Sequence, residues 1–179
     1  ERAFELNDKV AKDIMTDRTR LTVLDATDTV KTALKLYLDE GFSRFPVVRD
    51  NDKDDVVGYV YAYDIVEQSN EGNNASLSRL IRAIITVPES MPIQDILHLM
   101  ISKHTPIVLV VDEYGGTSGI VTDKDIYEEL FGSVKDEIDD VADEYIVKDE
   151  TGIIRVSGKT TLYDFERYFH TKLKAFQDN

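Results

Sequence analysis

The chain has 179 residues, 42% of them hydrophobic, which suits one sizeable domain or two small ones sharing a core and excludes a disordered segment. Its 35 acidic residues against 21 basic ones leave a net charge of −14, which disfavours binding along a nucleic-acid backbone or broad contact with anionic lipid and still admits a divalent cation or a small anion. Cysteine is absent, so disulfides, a thiol nucleophile and Cys-ligated zinc are excluded, and no apolar run approaches the ~20 residues needed to span a bilayer.

In the first 20 residues, the spacing of Leu6, Val10 and Ile14 predicts a short helix ending near Met15. The chain opens on Glu1 rather than Met, which reads as a portion excised from something longer. A strand is expected at Leu21–Leu24. Asp28 or Thr29 then caps a helix with apolar positions at Val30, Ala33, Leu34, Tyr37 and Leu38, stopped by Gly41. Phe45–Val48 reads as a strand, Asp50–Asp55 as a charged turn, Val56–Tyr61 as the return strand and Tyr63–Glu67 as the start of a helix. The polar stretch from Gln68 to Ser76 has no periodicity and reads as a linker.

The second half restates the first. Leu80–Ile84 reads as a short helix and Ile85–Val87 as a strand, and Ser90 with Pro92 marks the start of a helix. Ile93, Ile96, Leu97, Met100 and Ile101 repeat the i, i+3, i+4, i+7, i+8 spacing of Val30 to Leu38. A strand at Ile107–Val111, a turn at Asp112–Gly116 and a strand at Ser118–Val121 follow, and a helix starts at Thr122. Gly58 to Gly119 and Asp64 to Asp125 are both separated by 61 residues. The organisation this predicts is an α/β (α+β) fold of two β-α-β-β-α repeats packed as a pair, since a unit of about 60 residues buries little alone. Beyond the acidic run 135–144, Tyr145–Val147 and Ile153–Ser157 read as a hairpin and Thr161–Phe169 as a helix. This is the opening of a small α+β segment that is cut short.

The junction Gly119-Ile120-Val121-Thr122-Asp123-Lys124-Asp125 carries the chemistry. A helix starting there aims unpaired N–H groups and the positive end of its dipole past the strand end. The Thr122 hydroxyl can donate to a phosphate oxygen, and the Asp125 carboxylate can accept from two vicinal sugar hydroxyls. The same two residues also describe an ordinary helix cap, and both readings stand at this point. Gly115 and Gly116 serve a tight turn, because no Gly-Lys-Ser/Thr follows them as in a P-loop. His98, His104 and His170 do not pattern as a zinc site, and the acidic run lacks the alternating ligands of a calcium loop. No paired nucleophile and base is evident, so an enzyme is not expected.

With the 61-residue repeat, the Gly-x-x-Thr-x-x-Asp junction resembles that of a tandem pair of cystathionine-β-synthase (CBS) domains. Asp13-Ile14-Met15-Thr16, Ser43-Arg44-Phe45-Pro46-Val47, Val87-Pro88-Glu89-Ser90 and the run from Val111 to Thr122 fall in order along the chain. Together they resemble the cytosolic part of the CorC/CNNM family, the hemolysin-like or magnesium and cobalt efflux proteins. Val156–Leu162 is similar to the start of that family's C-terminal transporter-associated domain. On this resemblance residues 1–20 are a lead-in after a missing transmembrane domain, 21–69 the first CBS repeat and 70–79 the linker. Residues 80–134 are then the second repeat, and 135–179 an acidic linker with a partial transporter-associated domain.

The resemblance implies a regulatory module, on the cytoplasmic face of the cell membrane, of a protein that transports magnesium or cobalt. It would bind an adenine nucleotide, ATP or AMP, with or without magnesium, pair with a second copy, and act on the transmembrane domain of its parent chain. Nucleic acid is not an implied partner. Thr122 would contact phosphate, Asp125 the ribose hydroxyls and Arg44 the phosphates, while Phe45 and Pro46 wall the base. Thr22 and Val23, or Thr86 and Val87, would supply further walls and backbone polarity. The first repeat departs from the pattern, because Tyr61 stands where Thr is expected. One nucleotide site rather than two is the consequence. The alternative is a dimerisation module without a ligand.

Overall fold

The computed structural model describes residues 8–72 and 75–139. In chain order these form α1 (Ala11–Ile14), β1 (Thr16–Asp17), β2 (Leu24–Asp25), α2 (Val30–Glu40), β3 (Arg44–Arg49), β4 (Asp52–Tyr61) and α3 (Ala62–Ser69). Then come β5 (Ile85–Pro88), α4 (Ile93–Ser102), β6 (Ile107–Val111), β7 (Thr117–Thr122) and α5 (Asp123–Asp139), with 3-10 turns at Arg18–Arg20 and Leu77–Leu80. The β-α-β-β-α order occurs twice, as β2-α2-β3-β4-α3 and β5-α4-β6-β7-α5. The expected hairpin and helix beyond residue 144 lie outside the described residues. Among the described residues no helix is long and apolar enough to cross a membrane.

The chain divides into two compact units. One is helical and holds α1, α4 and α5. The other is strand-rich and holds β1 to β6 with α2 and α3, and it takes β7 as far as Ile120.

In the strand-rich unit, β2 runs parallel to β3, which pairs antiparallel with β4. The hairpin turn is tighter than expected. Only Asp50 and Asn51 form it, both with φ of 56°, the left-handed pair that a two-residue turn requires, so β4 begins at Asp52 rather than Val56. Asp25 supports this turn, since its carboxylate accepts from Asn51 N (2.8 Å) and from the N–H and hydroxyl of Thr27. The strand expected at Leu21–Leu24 is also displaced. A 3-10 turn capped by Asp17 occupies Arg18–Arg20, and β pairing starts only at Leu24, opposite Val47. Because β2 pairs only with Val47 and Val48, no β2 residue stands opposite Pro46, whose missing N–H therefore costs no ladder bond on that side.

Thr29, not Asp28, caps α2 by accepting from Thr32 N (3.2 Å), and Gly41 closes it in the left-handed conformation at φ 74°. Val30 and Ala33 are buried, whereas Leu38 is 72% exposed although the periodicity placed it on the core face. The core on this side gathers Leu24, Val30, Phe45, Val47, Val60, Ile65 and Leu77. A second cluster joins Leu21 and Tyr59 to Ile107, Leu109 and Ile120 of β6 and β7. Those two strands belong to a four-stranded sheet ordered β1-β7-β6-β5, with β5 parallel to β6 and β1 antiparallel to β7.

The short helix expected at Leu80–Ile84 sits three residues earlier, as a 3-10 turn capped by Ser76 that buries Leu77 completely. The following segment is extended and lies against β4, where Tyr59 and Arg82 exchange backbone hydrogen bonds of 2.9 and 2.8 Å. Gly58 makes this approach possible. A Cβ there would stand 2.3 Å from the Arg82 carbonyl oxygen and 2.6 Å from Ile81 Cγ2. Near the hairpin ends, Asp54 pairs with Arg18 and accepts from Thr117 N (3.0 Å). Asp112 closes its own turn by accepting from Tyr114 N (2.9 Å) and Gly116 N (2.8 Å).

In the helical unit, α4 buries Ile93, Ile96 and Met100. Its first N–H is satisfied by the Lys9 carbonyl (3.1 Å), and no side chain caps it. α5 buries Ile126 and Tyr127. It continues through Gly132 into the acidic run as far as Asp139.

Candidate functional site

The junction between β7 and α5 is a reciprocal cap. Asp125, the third residue of α5, accepts through Oδ2 from Thr122 N (2.9 Å) and from the Thr122 hydroxyl (3.2 Å). Its own N–H donates back to Thr122 Oγ1 (3.4 Å). The cap reading of these two residues is therefore what the structure displays. It leaves room for the other reading, because among the described residues the Asp125 carboxylate accepts from Thr122 alone, through one of its two oxygens. Burial pushes the Asp125 carboxyl above its ordinary value, the Thr122 N–H and hydroxyl pull it back, and the charges of Glu128 and Asp123 add to the rise. A half-buried carboxylate with spare acceptor capacity gains from new hydrogen-bond donors, and a vicinal diol brings two.

The first repeat places the same parts differently. Asp64 is the third residue of α3 as Asp125 is of α5, but the residue ahead of α3 is Tyr61, which makes no side-chain cap. Asp64 Oδ2 accepts instead from Arg82, through Nε (3.2 Å) and Nη2 (2.9 Å). The Arg82 guanidinium lies 4.8 Å from the centre of the Tyr61 ring, and that of Arg44 lies 5.4 Å from the same ring. Tyr59 meets Tyr61 edge to face at 5.5 Å. Burial opposes the Arg82 charge, but the hydrogen bond and charge of Asp64 outweigh it and raise its basicity.

Thr122 and Asp125 belong to the helical unit; Thr22, Arg44, Phe45 and Pro46 belong to the strand-rich unit. Arg44 is half-buried at the start of β3, beside Tyr61. Phe45 corrects an expectation. Its ring is fully buried in the core cluster and meets Phe42 edge to face at 6.1 Å, so its surface goes to packing rather than to walling a base. Pro46 is buried on β3, opposite Tyr59. Thr22 is half-buried in the irregular segment ahead of β2. Thr86 is exposed and Val87 buried on β5. Sequence reasoning missed Arg82, which it had assigned to a helix. The available signal was that Asp64 is retained without a threonine to satisfy it. No group of three or more His, Asp or Glu among the described residues could hold a metal ion.

The CBS-domain family model matches residues 11–71 and 77–132. A hemolysin-like protein containing a CBS domain from Oenococcus oeni PSU is 54% identical, with a TM-score of 0.70 over 72% of this chain and 95% of that one. The CBS domain of a bacterial CNNM/CorC family Mg2+ transporter, solved in complex with ATP, is 32% identical, with a TM-score of 0.67 over 72% of this chain and 91% of that one. The magnesium and cobalt efflux protein CorC of Vibrio cholerae is 33% identical over 175 residues, which are 96% of this chain and 59% of that protein. The chain spans about a third of the length of the Bacillus subtilis relatives it matches. The twofold β-α-β-β-α order, the strand-to-helix junctions 61 residues apart and these likenesses agree: the chain belongs to the CBS-domain family, as a tandem CBS pair of the CorC/CNNM kind.

Proposed function

We propose that this CBS pair binds an adenine nucleotide at the start of α5 and thereby controls ion transport by the membrane part of a longer CorC-like protein. The observation that carries the reading is the Thr122–Asp125 pair, a hydroxyl and a half-buried carboxylate at a helix N-terminus with acceptor capacity left over. The ATP complex of a CNNM/CorC CBS domain supports the choice of ligand. In this reading Asp125 takes the ribose hydroxyls, and Thr122 with the first N–H groups of α5 takes a phosphate. Arg44 adds a cation for the phosphates, and magnesium accompanies the nucleotide where it is a triphosphate. The module acts without chemistry of its own, at the cytoplasmic face of the membrane. The nucleotide controls transport only through a difference in affinity between two conformations of the parent.

The test is isothermal titration of ATP, ADP, AMP and adenosine, with and without magnesium, into wild type and Asp125→Ala. A Kd near 1 μM, about −8 kcal/mol, that is lost in the variant supports the reading. No heat from any of the four refutes it.

A second reading, pairing of two copies without a ligand, rests on exposed apolar residues of the packed helices α2 and α3. Leu38 is 72% exposed, Tyr63 73%, and Phe42, just past α2, 50%. Sedimentation of wild type against Leu38→Glu/Tyr63→Glu decides it. A dimer that falls apart in the variant is the supporting result, and a monomeric wild type the opposing one.

A further inference from the structure

In the second repeat the carboxylate at the third helical position is met by its own cap, Thr122. In the first repeat the equivalent carboxylate, Asp64, is met by a guanidinium from a different part of the chain. Arg82 grips it through two nitrogens, and its side chain is about half exposed while that of Asp64 is 20% exposed. The guanidinium is also stacked on Tyr61, the residue that replaces the threonine. Two features fix this arginine in place. Its backbone exchanges two hydrogen bonds with Tyr59, and the approach of that backbone depends on Gly58 having no side chain. A planar cation forked onto a carboxylate uses the acceptors a sugar diol would need, and Tyr61 fills the space ahead of the helix where a phosphate would lie.

We infer that Arg82 is a built-in occupant of the first repeat, one that together with Tyr61 closes it to nucleotide and so restricts the chain to a single site. The inference rests on the proposed nucleotide site of the second repeat for the kind of ligand excluded. Residue 82 is then the specificity-determining position, because Asp64 itself is intact and correctly placed on α3.

The test uses the full 179-residue chain with Asp125→Ala as background, which removes the second-repeat contribution. Tyr61→Thr and Arg82→Ala are added to it singly and together, and Asp64→Ala is then added to the combination. Each variant is titrated with ATP, ADP and AMP, and its fold is checked by far-UV circular dichroism and thermal melting. Arg82→Gln replaces Arg82→Ala if the latter fails to fold. The expected result is nucleotide binding at least ~10-fold tighter in the Tyr61→Thr/Arg82→Ala combination than in the background, lost again with Asp64→Ala. A folded combination that binds no better than the background overturns the inference, as does gained binding that survives Asp64→Ala. Failure of the proposed function is read separately, as absence of binding in the wild type.

Discussion

Replacing Gly58 by alanine tests how closely the segment carrying Arg82 is held against β4. The added Cβ would stand 2.3 Å from the Arg82 carbonyl oxygen and 2.6 Å from Ile81 Cγ2, and the first of these contacts is with backbone, which cannot rotate away. Two responses are open to the protein. Either the strand distorts in place, an overpacking cost of about 1–3 kcal/mol. Or the 81–82 segment withdraws and forfeits its two hydrogen bonds to Tyr59, worth about 1 kcal/mol each, along with part of the packing of Ile81 against the core. Both routes converge on a loss of about 2–4 kcal/mol, a fall in Tm of roughly 5–15 °C for a chain of this size. Chemical denaturation with fixed m-value gives the free energy, and Gly132→Ala serves as the control. Gly132 lies within α5, where a Cβ meets nothing within 4 Å, so alanine there stabilises by up to ~1 kcal/mol through helix propensity. A Gly58→Ala protein within about 0.5 kcal/mol of wild type would refute the reasoning, because surface-like tolerance is incompatible with a buried glycine against a carbonyl.

Asp125→Asn separates stability from binding. The raised carboxyl of Asp125 favours the folded state below the ordinary Asp value of 3.8 and loses that advantage as pH rises through its folded value, so at neutral pH the neutral amide melts no lower than wild type. Nucleotide affinity, read by titration, falls ~10-fold or more, the worth of a hydrogen bond to a charged acceptor. Asp54→Asn has the opposite pH sign. The hydrogen bond from Arg18, then the Thr117 N–H, hold the Asp54 carboxyl below 3.8, so its contribution is complete above that value and vanishes as pH falls through the folded one. The difference in Tm between wild type and this variant is therefore full at pH 7 and closes in acid, and it shrinks with added salt. Thr29→Ala removes the α2 cap and costs about 1 kcal/mol in denaturant unfolding, whereas Asp28→Ala leaves that cap untouched.

What was legible in the sequence was what local rules determine. The helices α2 and α4 were readable because their apolar stripes and stops are local, and Gly41 ends α2 as the left-handed cap its position implies. Where several local rules compete, tertiary packing decided. Leu38 continues the stripe of α2, yet α2 turns it to solvent. Leu21–Val23 has strand composition, but a 3-10 turn capped by Asp17 delays pairing until Leu24. The apolar spacing of Leu80 and Ile84 suggests a helix, while Ser76 caps an earlier turn and the backbone at 82 is claimed by Tyr59. None of these outcomes is visible in a window of residues, since each depends on a partner many positions away.

The site shows the same limit at the level of chemistry. A repeat duplicates backbone register, and the offset of 61 residues correctly put Asp64 and Asp125 at the third position of equivalent helices. It does not duplicate what satisfies them. A carboxylate at that position needs donors, and a threonine cap supplies two from one residue. A tyrosine cap offers a ring instead, too far from the carboxylate to cap it and suited to stacking a guanidinium. Once Tyr61 stands ahead of α3, an intact Asp64 requires a cation from elsewhere, and the segment that Gly58 admits delivers Arg82. The substitution at 61 and the arginine at 82 are thus two halves of one arrangement. It follows that Tyr61→Thr alone, with Arg82 still in place, leaves the first repeat occupied.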